Sequence, residues 1–295
     1  MHLRPLTVDD ADLCAAAQLA ALAALRAQIG LPSIPNGQDL VAACSARIRH
    51  LVATDPNGSW LTETDNTVTG FAQAARRDDL WVLAHLFVAP SAQSQGLGSA
   101  LLNAVTRYES SAPRAIIGST ADPRAIRSYA RLDGFEVHPC VTASGRLRNP
   151  TLDRDRAGRH GEPAVRNGTR DDLAEIAALD LALRRGAHGA DMRHLLDSGH
   201  ELLVVDDRGY AVSCPVTVVL VAGVDTQAAT ALLRAAIGRA TSIHAEVQLP
   251  RMTAGQQWAI RVSVEAGLAL RPWGPLITRG FPAPPTPYLP HSALC

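Results

Sequence analysis

Gln93, Gly96 and Gly98 stand in the spacing Q-x-x-G-x-G inside "HLFVAPSAQSQGLGSALLNAV", residues 85–105, where an apolar run gives way to a helical pattern. A glycine turn between a strand and a helix leaves the helix's first N–H groups unpaired, and the helix dipole adds positive potential there. Such a turn takes a phosphate or pyrophosphate, and residues without side chains clear the approach. An ordinary glycine turn is the competing reading of G-x-G alone. Two nucleotide motifs fail on their letters: a P-loop needs a lysine, and the chain has none. A dinucleotide fingerprint needs glycine or alanine three residues after Gly98, where Leu101 stands.

Other side chains offer proton chemistry. Tyr129 is a candidate acid, with packing on the inner face of its helix as the alternative. His85, on the strand before the turn, has an ordinary pKa near neutrality and suits a general base, or else a core histidine. Asp78 and Asp79, at that strand's start, are alternatives that read better as solvated turn carboxylates. His188, Asp191 and His194 have helix-like spacing, but without a further ligand nearby they are expected at a helix start and on its solvated face rather than around a metal.

The elements that must position these residues follow from periodicity and breakers. Thr7, with Asp9 and Asp10, starts a helix that Gly30 ends, and a second helix covers 39–53. Strands are predicted near 58–64, 67–76 and 79–88, then a helix over 96–110 and a buried strand in "RAIIGST". A helix from Asp122 to Gly134 comes next, then strands to about Arg148. Residues 149–162 are polar, charged and punctuated by Gly and Pro, and read as a linker. Beyond them the order restarts with a strand, a Thr169 cap and a helix, then strands, a helix, a strand and a helix. The reading is an α/β (α+β) chain of two similar domains, 1–148 and 163–295, each a mixed central sheet flanked by helices.

Composition agrees with two domains: 295 residues give a length prior of about two. Lys plus Arg and Asp plus Glu are both 28, so no net field draws the chain to nucleic acid or to an anionic membrane. The five cysteines show no C-x-x-C pair and read as reduced, mostly buried thiols. Acidic residues stand where an export signal would be apolar, and the run 212–224 is too short to span a bilayer, so a cytoplasmic protein is expected.

Val88, Pro90, Gln93, Gly96 and Gly98 together match V-x-P-x-x-[QR]-x-x-G-x-[GA], and in this the stretch resembles the acetyl-CoA signature of the GNAT superfamily of N-acetyltransferases. Asp122, Ala125, Tyr129, Gly134 and Phe135 follow a second element of that family, N-x-x-A-x-x-x-Y-x-x-x-G-F, with aspartate for asparagine and one extra residue near Asp133. The second half resembles the family more faintly. Gln227 and Ala229 replace the glycines there, and Ser263 stands at the tyrosine position. The chain is thus similar to tandem GNAT proteins, with an intact first domain and a degenerate second.

The resemblance implies acetyl-CoA as cosubstrate and no metal. Leu86, Phe87 and Val88 would pair with the pantetheine arm, the Val88 N–H facing the thioester carbonyl as an oxyanion-type donor. Gln93, Ser94, Gln95, Gly96, Leu97, Gly98 and Ser99 would hold the pyrophosphate, with Asp122 near the cofactor. Tyr129 would protonate the departing thiolate, and His85 stands where the family often places a carboxylate. In some tandem relatives the C-terminal carboxylate serves as base, which here would be that of Cys295. The expected activity is acetyl transfer to a primary amine of a small molecule or peptide by direct attack in a ternary complex. The alternative is a non-catalytic acyl-CoA-binding or scaffolding protein. The acceptor and the oligomeric state are not legible in the residues.

Overall fold

The computed structural model describes residues 2–31, 38–109, 111–147, 162–215, 217–239 and 246–294. The chain packs as two compact units, one from Met1–Arg76 and Trp81–Ala115, the other from Arg77–Leu80 and Ile116–Cys295. The linker predicted over 149–162 lies almost wholly outside the described residues.

In the first unit the strands β1 (His2–Pro5), β2 (Ser59–Thr64), β3 (Thr67–Arg77) and β4 (Leu80–Val88) lie side by side in chain order. β2 runs antiparallel to both β1 and β3, with an irregularity at Thr62/Glu63. Helices α1 (Ala11–Gln28) and α2 (Gln38–Thr54) bury Ala11, Cys14, Ala15, Cys44, Ile48 and Val52 against Leu61 and Phe71. This apolar stripe on each helix, set against the inward residues of the sheet, is what fixes the layer. Burial pushes the Cys14 thiol up to about 12, so this cysteine packs as a hydrophobe. Helix α3 (Leu97–Thr106) contributes Leu97, Leu101, Leu102 and Val105 to the interior. The chain then leaves the unit through β5 (Arg114–Gly118).

The second unit opens with α4 (Pro123–Tyr129) and β6 (Glu136–Gly145). α4 stops at Tyr129, short of the predicted end at Gly134, because the chain turns twice: Leu132 N donates to Tyr129 O and Phe135 N to Leu132 O. After β7 (Arg166–Asn167) come α5 (Leu173–Arg184), α6 (Ala190–Asp197), β8 (Glu201–Val205), β9 (Gly209–Cys214), β10 (Thr217–Gly223) and α7 (Thr226–Arg239). The chain ends through β11 (Val247–Met252), α8 (Gln257–Glu265), β12 (Ala269–Arg279) and β13 (Tyr288–Leu289). The strands order as β12-β6-β11-β10-β9-β8-β7, with β13 on β10. β10 and β11 are parallel, while β6 is antiparallel to both its neighbours, β11 and β12. α7 and α8 close one face through Leu232, Leu233, Ile237, Trp258 and Val262.

The two halves open with the same local arrangement. In each half an arginine of the opening strand grips an aspartate three residues after a threonine cap: Arg4 with Asp10 at 2.8 Å, Arg166 with Asp172 at 2.5 Å. The same aspartates accept from Thr7 N at 2.9 Å and Thr169 N at 2.7 Å, so each closes a capping box. Both lead into a short 3-10 turn before the helix proper, which is why α1 begins at Ala11 rather than beside Thr7. β6, which belongs to the first repeat by sequence, lies between two strands of the second.

Candidate active site

The turn after β4 has the geometry its letters predict. Pro90 opens a short 3-10 turn, and Gln93 reaches back so that its Nε2 donates to Val88 O at 3.1 Å. Ser94 takes a positive φ of 64° and Gly96 one of 84°, which re-aims the chain into α3. Gly96 is the N-cap and no side chain caps the helix. The first bond of the helix's own ladder runs from Ala100 N to Gly96 O, so the N–H groups of Leu97, Gly98 and Ser99 lie ahead of it. A methyl on Gly96 would meet nothing within 4 Å, and one on Gly98 only Val88 Cγ2 at 3.9 Å. The cradle is open and lined by backbone donors, which fits a pyrophosphate.

The helix at the equivalent place in the second half is built the opposite way. Asp225 accepts from Ala228 N at 2.8 Å and pairs with Arg208 at 2.7 Å. These bonds, the Ala228 one foremost, hold its carboxyl below the usual range. That N-terminus carries its own anion, and a methyl on Gly223 would meet Ala229 N at 3.1 Å.

Leu86, Phe87 and Val88 are half-buried at the end of β4, and His85 is buried at 3% exposure. Two orders of contact fix the His85 ring. Phe71 and Phe87 flank it at centroid distances of 5.6 and 6.1 Å, and its Nδ1 lies 2.9 Å from Oε1 of buried Gln73. The Gln73 amide cannot be reversed without loss, since its Nε2 donates to Ile48 O and to Ser59 Oγ, each at 3.1 Å. The Ser59 hydroxyl spends its own proton on Asp55 O. The chain of donors therefore requires a proton on Nδ1 of His85, leaving Nε2 with a lone pair and no partner. Burial, and then the charge of Arg47, hold the ring well below the ordinary histidine range, so it is neutral at pH 7. Sequence reading missed Gln73 and Arg47: one acts across strands, the other from a helix, and neither belongs to a motif.

In the second unit, Asp122 caps α4 by accepting from Arg124 N at 2.9 Å and also pairs with the Arg124 guanidinium at 2.8 Å. Tyr129 is buried, and desolvation, with the Asp122 charge, pushes its hydroxyl above the usual range. Asp78 is exposed and accepts from Ala187 N at 2.8 Å.

His188 and Asp191 correct the expectation of a solvated helix face. Asp191 is in the first turn of α6, but both residues are buried, at 0% and 1% exposure. His188 Nδ1 is 2.7 Å from Asp180, which also accepts the Tyr210 hydroxyl at 2.5 Å, and Asp191 forms a two-pronged pair with Arg77. These partners are remote in sequence, so a local pattern could not show them. Among the described residues no group of His, Cys, Asp and Glu could hold a metal ion, and no helix is long and apolar enough to cross a membrane. The tail runs through β13 on β10 and ends with Leu294 O facing buried Arg184, while Cys295 lies outside the described residues.

Residues 33–135 match the Acetyltransferase (GNAT) family, a span that includes the cradle, His85, Asp122 and Tyr129. No protein of curated function matches the sequence. Among solved structures, a candidate acetyltransferase from Pyrococcus horikoshii is similar with a TM-score of 0.75 and 11% identity, over 99% of this chain and 95% of that one. A tandem GNAT protein from the clavulanic acid biosynthesis pathway has a TM-score of 0.60 at 15% identity, covering 96% of this chain and 99% of its own. A GCN5-related N-acetyltransferase from Sphaerobacter thermophilus has a TM-score of 0.58 at 16% identity, over 94% and 95%. At such identities the likeness speaks for the fold. Residues 33–135 are thus similar to the Acetyltransferase (GNAT) family, and the chain has a fold like that of the tandem GNAT protein.

Proposed function

We propose that the protein is an acetyl-CoA-dependent N-acetyltransferase that acts on a primary amine by direct attack in a ternary complex, with the first repeat as the catalytic domain and the second as a degenerate one. The observation that carries this is the open cradle at Gly96 and Gly98, set against the self-capped helix of the second half. Of these two equivalent turns, only the first leaves its backbone donors for an anion from outside. Anchoring the pyrophosphate at a distance from the thioester holds the reacting carbon in attack geometry.

In this reading the Val88 N–H stabilises the charge that grows on the thioester oxygen. The amine proton passes to Nε2 of His85, which is neutral and carries the free lone pair. Tyr129 gives its proton to the departing thiolate, and its raised pKa keeps it protonated across the working range. Tyr129→Phe is expected to lower kcat by about 100-fold, the low end for a general acid, while acetyl-CoA affinity stays nearly intact. The experiment is amine-dependent release of free CoA thiol from acetyl-CoA over a panel of primary amines. Binding of acetyl-CoA without such release favours the second reading, a non-catalytic acyl-CoA-binding protein. That reading draws on the Asp122 carboxylate being engaged by Arg124.

A further inference from the structure

Gln73 is wholly buried in β3, two residues from Phe71 and on the same face of the sheet, beside the apolar cluster that includes Leu61 and Ile48. An amide withdrawn from water costs free energy unless its bonds are made, and here both donors and the oxygen are engaged. Nε2 donates to Ile48 O and to Ser59 Oγ, and Oε1 lies 2.9 Å from His85 Nδ1. Two of these partners do not depend on it. Ile48 lies inside α2, whose own ladder serves its carbonyl, and the Ser59 hydroxyl has Asp55 O. The third partner does depend on it, because the bond made by one imidazole nitrogen sets which nitrogen carries the proton. The elements fix the amide's direction: α2 lays Ile48 O against it, β2 sets Ser59 opposite it in register, and β4 lies beside β3 with His85. For packing alone an apolar side chain would serve this layer; the amide answers to the ring.

We infer that Gln73 is a positioning residue for acetyl transfer, holding His85 with its proton on Nδ1 so that Nε2 is the nitrogen left to take the amine proton. The inference rests on the reading of His85 as the base and adds the group that acts through it. When the amine proton moves to Nε2 the ring becomes imidazolium, and the bond from Nδ1–H to Gln73 Oε1 gains a charged donor. That bond is stronger in the transition state than before it, so its loss falls on kcat rather than on the binding of either substrate.

Nitrogen NMR of the unaltered protein at pH 7, with the His85 signals assigned by their loss in His85→Gln, reads the tautomer directly. A proton on Nδ1 is expected, and one on Nε2 overturns the inference without any variant of Gln73. Amine-dependent thiol release is then compared in Gln73→Met, Gln73→Glu, His85→Gln and the double variant of Gln73→Met with His85→Gln. Gln73→Met, which fills similar space without an amide, is expected to lose the Nδ1 signature and about 10- to 100-fold in kcat, with acetyl-CoA affinity unchanged. Gln73→Glu keeps an oxygen against Nδ1 and should retain most of kcat on the plateau of its own pH profile. In the His85→Gln background Gln73→Met should cost nothing further, since the residue it acts through is gone. Losses that multiply in the double variant, or full kcat in Gln73→Met, overturn the inference while leaving the base reading standing. Should Gln73→Met fail to fold, Gln73→Glu decides: loss of the Nδ1 proton there, or of kcat on the plateau, overturns it. If His85→Gln releases thiol at the unaltered rate, or no amine releases thiol at all, the base reading falls and the inference falls with it.

Discussion

Two buried side chains decide how proton transfer would run at residue scale. His85 is flanked by aromatic rings and bonded through Nδ1 to an amide whose direction is set by Ile48 and Ser59. Its pKa is depressed by burial first and the Arg47 charge second, so the imidazole remains a base as pH falls through 6.5. The acid limb of kcat/KM is therefore expected below that of an ordinary histidine, and His85→Gln should lower kcat/KM by about 100- to 10,000-fold. A pH-rate profile with its acid limb at or above 6.5, or an unaffected variant, would remove His85 from the base role. His85 and Tyr129 could be named as candidates, one just before the first family motif and the other within the second. Gln73 and Arg47 could not, because their roles arise only when β3 is laid beside β4 and α2 is packed over both. His188 and Asp191 mislead for the same reason, since the residues that satisfy them in the interior are Asp180, Tyr210 and Arg77.

Among the elements, what a helix N-terminus is given decides what it can do. α3 starts at a glycine with φ of 84° and no side-chain cap, whereas α7 has Asp225 seated on Ala228 N. The contrast was half legible: the sequence shows glycines in one turn and their loss in the other, but not that an aspartate closes the second. The capping boxes of the two repeats give a stability test. Asp10 and Asp172 are both held below the usual carboxylate range, chiefly by their arginines, and so contribute stability that is present above about pH 4 and lost as pH falls further. Asp10→Asn and Asp172→Asn should each lower unfolding free energy by about 1 kcal/mol at pH 7, as losing a cap does, with the gap narrowing in acid. Urea midpoints measured at both pH values check this, and a gap that widens in acid would contradict it. The start of α4 at Asp122 was read correctly, whereas at Thr7 and Thr169 a short 3-10 turn comes before the helix proper. The early end of α4 at Tyr129 was not legible, because turns bonded through Leu132 and Phe135 imitate a continuing helix in sequence.

For the whole molecule, the boundary between repeats and the boundary between packed units are different things. The polar stretch 149–162 marks where the pattern restarts, yet the compact units part between Ala115 and Ile116. β6 lies between β11 and β12, pairing with both, although it precedes that stretch. A chain cut back to residues 1–148 is thus expected to lose cooperative unfolding, since β6 would expose two unpaired edges. A sharp two-state transition for that fragment would show that the repeat folds alone. Strand exchange of this kind leaves no mark in hydrophobic periodicity, which reports that a strand exists and not which strand it joins. The central claim is that the turn from Gln93 to Ser99 is the single acyl-CoA site of the chain. Calorimetric titration of acetyl-CoA into the unaltered protein and into Gly98→Val tests it most directly. A single site per chain, abolished when the valine fills the open cradle, is the predicted result; undiminished binding to Gly98→Val, or a second equivalent site, would contradict it.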